Sequence, residues 1–162
     1  MADLELFLST EQETIRLAQR FASLLKPPFV LALSGEIGVG KTTFVRALLQ
    51  AFGETSSVKS PTYSLIESYE CHHFDFYHMD LYRIQTDDEL EYLGFREHFH
   101  EHAICCIEWP ERVQQGLIPT DLQLSFILQP VGRQLLIHPL SSLGERLCGR
   151  LREMQNEAPL TL

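Results

Sequence analysis

A lysine and a threonine close a short stretch that contains three glycines: GEIGVGKT, residues 35 to 42. Glycine imposes little steric limit on φ, so this backbone can curl and aim several N–H groups at one point. A helix starting where the curl ends would add its positive dipole terminus, and Lys41 a full charge. The guest that such a nest attracts is a polyphosphate. The stretch matches G-x-x-x-x-G-K-[ST] in full, and its flanks suit the match. FVLALS (29–34) reads as a strand before it, and TFVRALLQAFG (43–53) as a helix after it.

A phosphate loop works with a magnesium ion and with a group that positions water or an acceptor. Thr42 is the expected magnesium ligand within the loop, because its hydroxyl points at the β- and γ-phosphate side. A second requirement is a carboxylate at the end of a neighbouring buried strand. Two acids compete for it: Glu108, which closes the apolar run AICCIEW (103–109), and Asp80, which closes FDFYHMD (74–80). For each the plain alternative is an exposed acid at a strand end. The segment SPTYS (60–64) lies one element beyond the loop's helix, where switch segments order around a γ-phosphate; an ordinary Ser/Pro turn fits the spacing equally well.

The elements that must hold these residues alternate in type along the chain. Thr10 and Glu13 have capping-box spacing at the start of a helix over 9–25, with Ile15, Ala18, Ala22 and Leu25 at helical intervals and Pro27 and Pro28 closing it. Residues 54–62 read as loop. YSLIESYE and HHFDFYHMDLYR read as strands, the second alternating through Phe74, Phe76 and His78. Thr86 and Glu89 cap a short helix that Gly94 ends. AICCIEW is a buried strand, and 121–140 a hairpin turning at Pro130 to Gly132. A last helix, SSLGERLCGRLREMQ, precedes a tail (156–162) expected to be mobile, so that residues 1–155 form the domain.

Composition sets limits on partners. At 162 residues with 44% hydrophobic content, the chain suits one domain with a real core. No apolar run approaches membrane-spanning length and the first residues carry acids, so a cytoplasmic protein without membrane contact is expected. The net charge is −9, and no compact Lys/Arg cluster is present to neutralise nucleic-acid phosphates. Contact with nucleic acid would need another protein. The four cysteines lack C-x-x-C spacing and read as small buried hydrophobes. In HFHEH (98–102), strand alternation would put His98, His100 and His102 on one side, yet neither this run nor CHHFDFYH (71–78) has the paired spacing of a structural zinc site.

Taken together, GEIGVGKTTF, SPTYSL, HMDLYR and IEWPE occur in the order and at the intervals of the TsaE family, which the chain resembles from about residue 9 to 140. The resemblance implies a single-domain, P-loop NTPase-like three-layer α/β fold with a mixed sheet. It also implies a cytosolic ATPase that uses ATP and magnesium and works with the TsaD and TsaB proteins in tRNA threonylcarbamoyladenosine synthesis, touching tRNA only through the complex. On that resemblance Lys41 and the backbone from Gly38 through Val39, Gly40 and Thr42 to Thr43 bind the phosphates. Thr42 and Glu108 hold magnesium, Asp80 acts in hydrolysis, and Ser60, Pro61, Thr62 and Tyr63 form the switch. Thr10 and Arg133 match nucleotide-contacting segments by position alone.

Other classes are weighed against this. A GTPase would carry N-K-x-D and D-x-x-G, and neither string occurs. A small-molecule kinase would use the same loop with an acceptor pocket and an arginine-bearing lid, for which Arg146 and Arg150 are better read as solvated partners of Glu145 and Glu153. A non-catalytic nucleotide-sensing subunit is the nearest rival. No arginine within the loop or the switch segment is placed like a finger, with Arg83 as the one exception to consider, so slow hydrolysis alone and faster hydrolysis with partners are expected.

Overall fold

The computed structural model describes residues 3–55, 58 and 65–160. Helix α1 (Glu11–Leu24) begins where the Thr10 hydroxyl accepts from the Glu13 N–H, and it buries Leu17, Ala18 and Phe21 on one face. Strand β2 (Phe29–Ser34) follows, then helix α2 (Lys41–Ala51). A strand precedes all of these: β1 (Leu4–Leu8), in which Leu6 and Leu8 turn inward. In the sequence that stretch reads only as an acidic start, although Leu4, Leu6 and Leu8 alternate with outward positions.

Strands β3 (Ile66–Glu70), β4 (Asp75–Asp80), β5 (Ala103–Glu108), β6 (Leu122–Leu128) and β7 (Arg133–Pro139) complete one seven-stranded sheet, in the order β1-β7-β6-β2-β5-β4-β3. The middle is parallel, with β2 between β5 and β6 and with β4 beside β5. Both margins are antiparallel, which makes the sheet mixed as expected. Helices α1, α2 and α4 (Ser142–Glu157) cover one face over the larger core. The short helix α3 (Asp87–Tyr92) and two 3-10 turns, Phe95–His98 and Pro110–Arg112, cover part of the other. Edge-on ring contacts of Phe44 with Phe21 at 5.2 Å and with Phe126 at 6.2 Å tie α2 to α1 and to β6.

Two expectations change. His98, His100 and His102 share no strand: His98 ends a 3-10 turn, and His100 and His102 lie in the turn before β5. The run is too polar to join a sheet whose strands here are covered on both faces, and its rings lean on Tyr77 instead, with His98 at 4.6 Å and His100 at 5.8 Å. The tail boundary also moves. Asn156 and Glu157 continue α4, and Leu160 is 2% exposed, with Arg16 donating to its carbonyl at 3.3 Å.

Helix α4 enters at a tight junction. Ser141 caps it, accepting from the Gly144 N–H, and donates to Asp121 Oδ1 at 2.6 Å. A Cβ on Gly144 would lie 1.9 Å from the Asp121 carbonyl oxygen, a backbone atom with no room to yield. Gly144→Ala is therefore expected to destabilise by about 1–3 kcal/mol despite alanine's helix propensity, lowering Tm by roughly 3–10 °C. At Gly149, five positions on, nothing stands within 4 Å of the added carbon. Gly149→Ala should leave Tm unchanged or raise it, and calorimetry on the two variants separates packing from propensity.

Candidate functional site

The site is built at the carboxyl ends of β2, β4 and β5. Between β2 and α2 the chain takes φ values of 146° at Gly35, 81° at Gly38 and 120° at Gly40, which residues with a Cβ rarely adopt. Gly40 is the N-cap of α2, so no side chain caps that helix and its first turn holds no acid. The first N–H groups of α2 are left for a guest. Space enforces Gly35 as well, where a Cβ would lie 2.7 Å from the Phe126 carbonyl; at Gly40 the added carbon would meet only the mobile end of Arg133, with Nη1 at 2.6 Å, so its backbone conformation is what requires glycine.

Lys41 is 4% exposed, donates to the Gly35 carbonyl, and lies 3.7 Å from the centroid of the Trp109 ring. Burial holds its ammonium below the ordinary lysine value, and the charges of Glu108, Glu111 and Asp80 push the other way. Trp109 reaches this place through a backbone at φ 60°, ψ 50°, left-handed and uncommon for a bulky side chain. The turn ends β5 and folds the indole back over the lysine, with Tyr82 against it at 5.0 Å.

Period-two alternation decides which acids face this side. Ile104, Cys106 and Glu108 on β5, and Phe76, His78 and Asp80 on β4, form the face toward α2. Glu108 is 2% exposed, and Thr42 Oγ1 lies 3.4 Å and 3.5 Å from its two carboxylate oxygens. The plain alternative of an exposed acid fails for Glu108. Asp80 sits beside it in register, half-buried, accepting from the Tyr82 N–H at 3.0 Å. Arg133, first residue of β7, brings its guanidinium to the loop at Gly40 and donates to Thr14 Oγ1 at 3.5 Å. Thr10 lies two residues beyond Leu8, the register partner of Arg133. Gly38, Val39 and Thr43 fall in the loop and the first turn of α2, whereas Ser60, Pro61, Thr62 and Tyr63 lie outside the described residues. Arg83 is exposed, and Arg150 pairs with Glu153 at 3.6 Å on the surface.

Two neighbours lie beyond what the sequence assigns: the alternation through Phe74, Phe76 and His78 turns His78 inward but gives it no partner. His78 is fully buried, with Nε2 at 2.6 Å from Glu108 Oε2. A polar residue between the inward positions Phe76 and Asp80 was the available signal, because a buried imidazole requires a partner. The other is a groove of about 1100 Å³ on the sheet face opposite α2, reaching Gly35, Glu36 and Trp109 and floored by Ser34 and Gln123. Among the described residues no lysine or arginine lines it. Among the described residues no cluster of histidine, cysteine, aspartate and glutamate suits a metal ion by itself, and no helix is long and apolar enough to cross a membrane. Cys105 and Cys106 are buried in β5, where burial pushes the Cys105 thiol up to about 12.

Sheet and site together define a single α/β domain that carries a glycine loop on the central strand of its parallel section. A family model described as threonylcarbamoyl adenosine biosynthesis protein TsaE matches residues 8–135. The tRNA threonylcarbamoyladenosine biosynthesis protein TsaE of Haemophilus influenzae is 34% identical, across 91% of this chain and 96% of its own. That of Bacillus subtilis is 34% identical, across 90% and 91%. The crystal structure of Bacillus subtilis YdiB superimposes with a TM-score of 0.76 at 29% identity, over 96% of this chain and 97% of that one. The chain belongs to the TsaE family, and its role lies in tRNA threonylcarbamoyladenosine biosynthesis.

Proposed function

We propose that the chain is a magnesium-dependent ATPase that serves this pathway together with TsaD and TsaB, in modification of the adenosine beside the anticodon of tRNAs reading ANN codons. One observation carries the reading: the Thr42 hydroxyl and the Glu108 carboxylate converge within 3.5 Å at an uncapped helix N-terminus that also holds Lys41. The donor set suits magnesium. Mg²⁺ takes hard oxygen ligands at about 2.0–2.1 Å in octahedral array, which puts neighbouring ligands roughly 3 Å apart. When bound, the ion would neutralise charge developing on the β- and γ-phosphate oxygens.

The chain's own residues supply the rest. The loop's N–H groups and Lys41 bind and orient the phosphates, and Arg133 brings a second cation to Gly40 from β7. Thr42 and Glu108 hold the metal. Asp80, in register with Glu108, orients a water and receives its proton. On this reading the cis cation comes from β7 and not from the loop or the switch segment. Slow turnover alone still follows if partners complete the site, and the net charge of −9 makes protein surfaces the route to tRNA.

The groove beside Gly35 and Trp109 gives the kinase reading one supporting observation, room for an acceptor. Among the described residues its lining offers no cation for a phosphorylated one. The test is release of ADP and phosphate without an added acceptor, and then with TsaD and TsaB. The ATPase reading expects slow release alone and faster release with the pair, with tryptophan fluorescence changing on addition of Mg-ATP, since the sole tryptophan rests on Lys41. Nucleotide binding without turnover in any combination would favour a sensing subunit. Turnover only with a small-molecule acceptor would favour a kinase.

A further inference from the structure

The least expected group near the loop is His78. It is 0% exposed, its Nε2 lies 2.6 Å from Glu108 Oε2, and its Nδ1 is buried without a hydrogen-bond partner. Buried polar atoms are nearly always paired, so a side chain that leaves one nitrogen unsatisfied is held by what the other does. A carboxylate only accepts, which places a proton on Nε2. With Nδ1 unpartnered among the described residues, an unused acceptor there is cheaper than an unused N–H, which fits the tautomer that carries its hydrogen on Nε2.

We propose that His78 is a positioning residue for Glu108. Its Nε2–H anchors Oε2 and so restrains the carboxylate beside Thr42, leaving Oε1 for the cation that Thr42 and Glu108 would share. The proposal rests on the reading of this site as one for a magnesium nucleotide. The geometry supports it in three respects. Glu108 ends a strand, and the charge-assisted bond from His78 restrains its carboxylate through one oxygen, leaving the other oxygen outside that bond. The tie comes from β4, which pairs with β5 along its whole length, so both ends of the bond are fixed by the same ladder. Thr42, the other oxygen donor, lies near equidistant from the two carboxylate oxygens, and a restrained carboxylate therefore decides which oxygen completes the pair. Residues that orient a ligand in this way typically change metal affinity by about 10- to 100-fold when removed.

The test uses the full chain and three substitutions. The amide nitrogen of glutamine reaches about as far as Nε2, so His78→Gln keeps a donor at the right place. His78→Asn reaches only as far as Nδ1, and His78→Leu has no donor. The measurements are Mn²⁺ binding by electron paramagnetic resonance at saturating ATP, with Mg²⁺ competing, and ATP binding in EDTA. The expected result is a metal affinity lowered about 10- to 100-fold in His78→Leu and His78→Asn and largely restored in His78→Gln, with metal-free ATP affinity alike in all. Should His78→Leu not fold, the glutamine and asparagine variants decide the same question. Equal metal affinity in wild type and the asparagine variant would overturn the proposal, as would equal losses in the glutamine and asparagine variants. A wild-type chain that binds neither ATP nor Mn²⁺ with ATP would remove the nucleotide reading itself, an outcome distinct from the others.

Discussion

Lys41→Ala is expected to weaken ATP binding by roughly 10- to 100-fold and to lower hydrolysis by about 10²–10³-fold or more, while the protein stays folded. The substitution removes a buried charge from the loop, where Lys41 is the one side-chain cation. The structural loss is small, because the Gly35 carbonyl and one indole face are the partners given up. The same lysine sets a pH dependence. In the nucleotide-free protein burial holds its ammonium below the 10.5 of an ordinary lysine. A bound polyphosphate adds negative charge beside it and raises it again. Between those two values binding takes up a proton, so affinity falls as pH rises, and the fall begins below 10.5. Calorimetric titrations in two buffers of different ionisation enthalpy would register the uptake. Wild-type hydrolysis in Lys41→Ala would end the phosphate-loop reading.

Asp80→Asn should separate turnover from binding more sharply than any other change. If Asp80 orients the attacking water, hydrolysis drops by roughly 10²–10⁴-fold while the ATP dissociation constant changes little. Glu108→Ala should act differently, raising the magnesium concentration needed for half-maximal binding. Asp80 has a competing local role, because its Oδ1 accepts from the Tyr82 N–H and so shapes the turn after β4. Asparagine preserves that acceptor and removes the basic carboxylate. Unchanged single-turnover rates in Asp80→Asn would therefore assign the residue to the turn alone.

How far the sequence could be read depended on where each constraint resides. The glycine loop was legible because its φ values and its lack of Cβ are properties of the residues themselves, and the capping pairs Thr10–Glu13 and Thr86–Glu89 are local in the same sense. Glu108 could be placed at the end of a buried strand, since five apolar residues precede it. Its contact with Thr42 across the 66 positions between them could not be read from spacing. The same holds for Arg133, whose approach to Gly40 depends on β7 lying beyond β6 from the loop's strand. β1 was missed because its five residues look like a leader to α1 until β7 supplies a partner. The left-handed Trp109 leaves no mark in the sequence, since nothing about tryptophan favours that backbone.

Strand β2 bears the glycine loop, yet both of its neighbours in the sheet, β5 and β6, come from residues 103 to 128. A ribosome that has released the chain only as far as residue 100 has made every residue of the loop and neither of the strands that flank β2. Long-range parallel pairing closes slowly, because the entropy of bringing distant segments together is lost before the contacts form. A nascent chain that has not yet exposed β5 and β6 thus cannot assemble the site, whatever nucleotide surrounds it. Competence comes only when β5 and β6 dock on either side of β2.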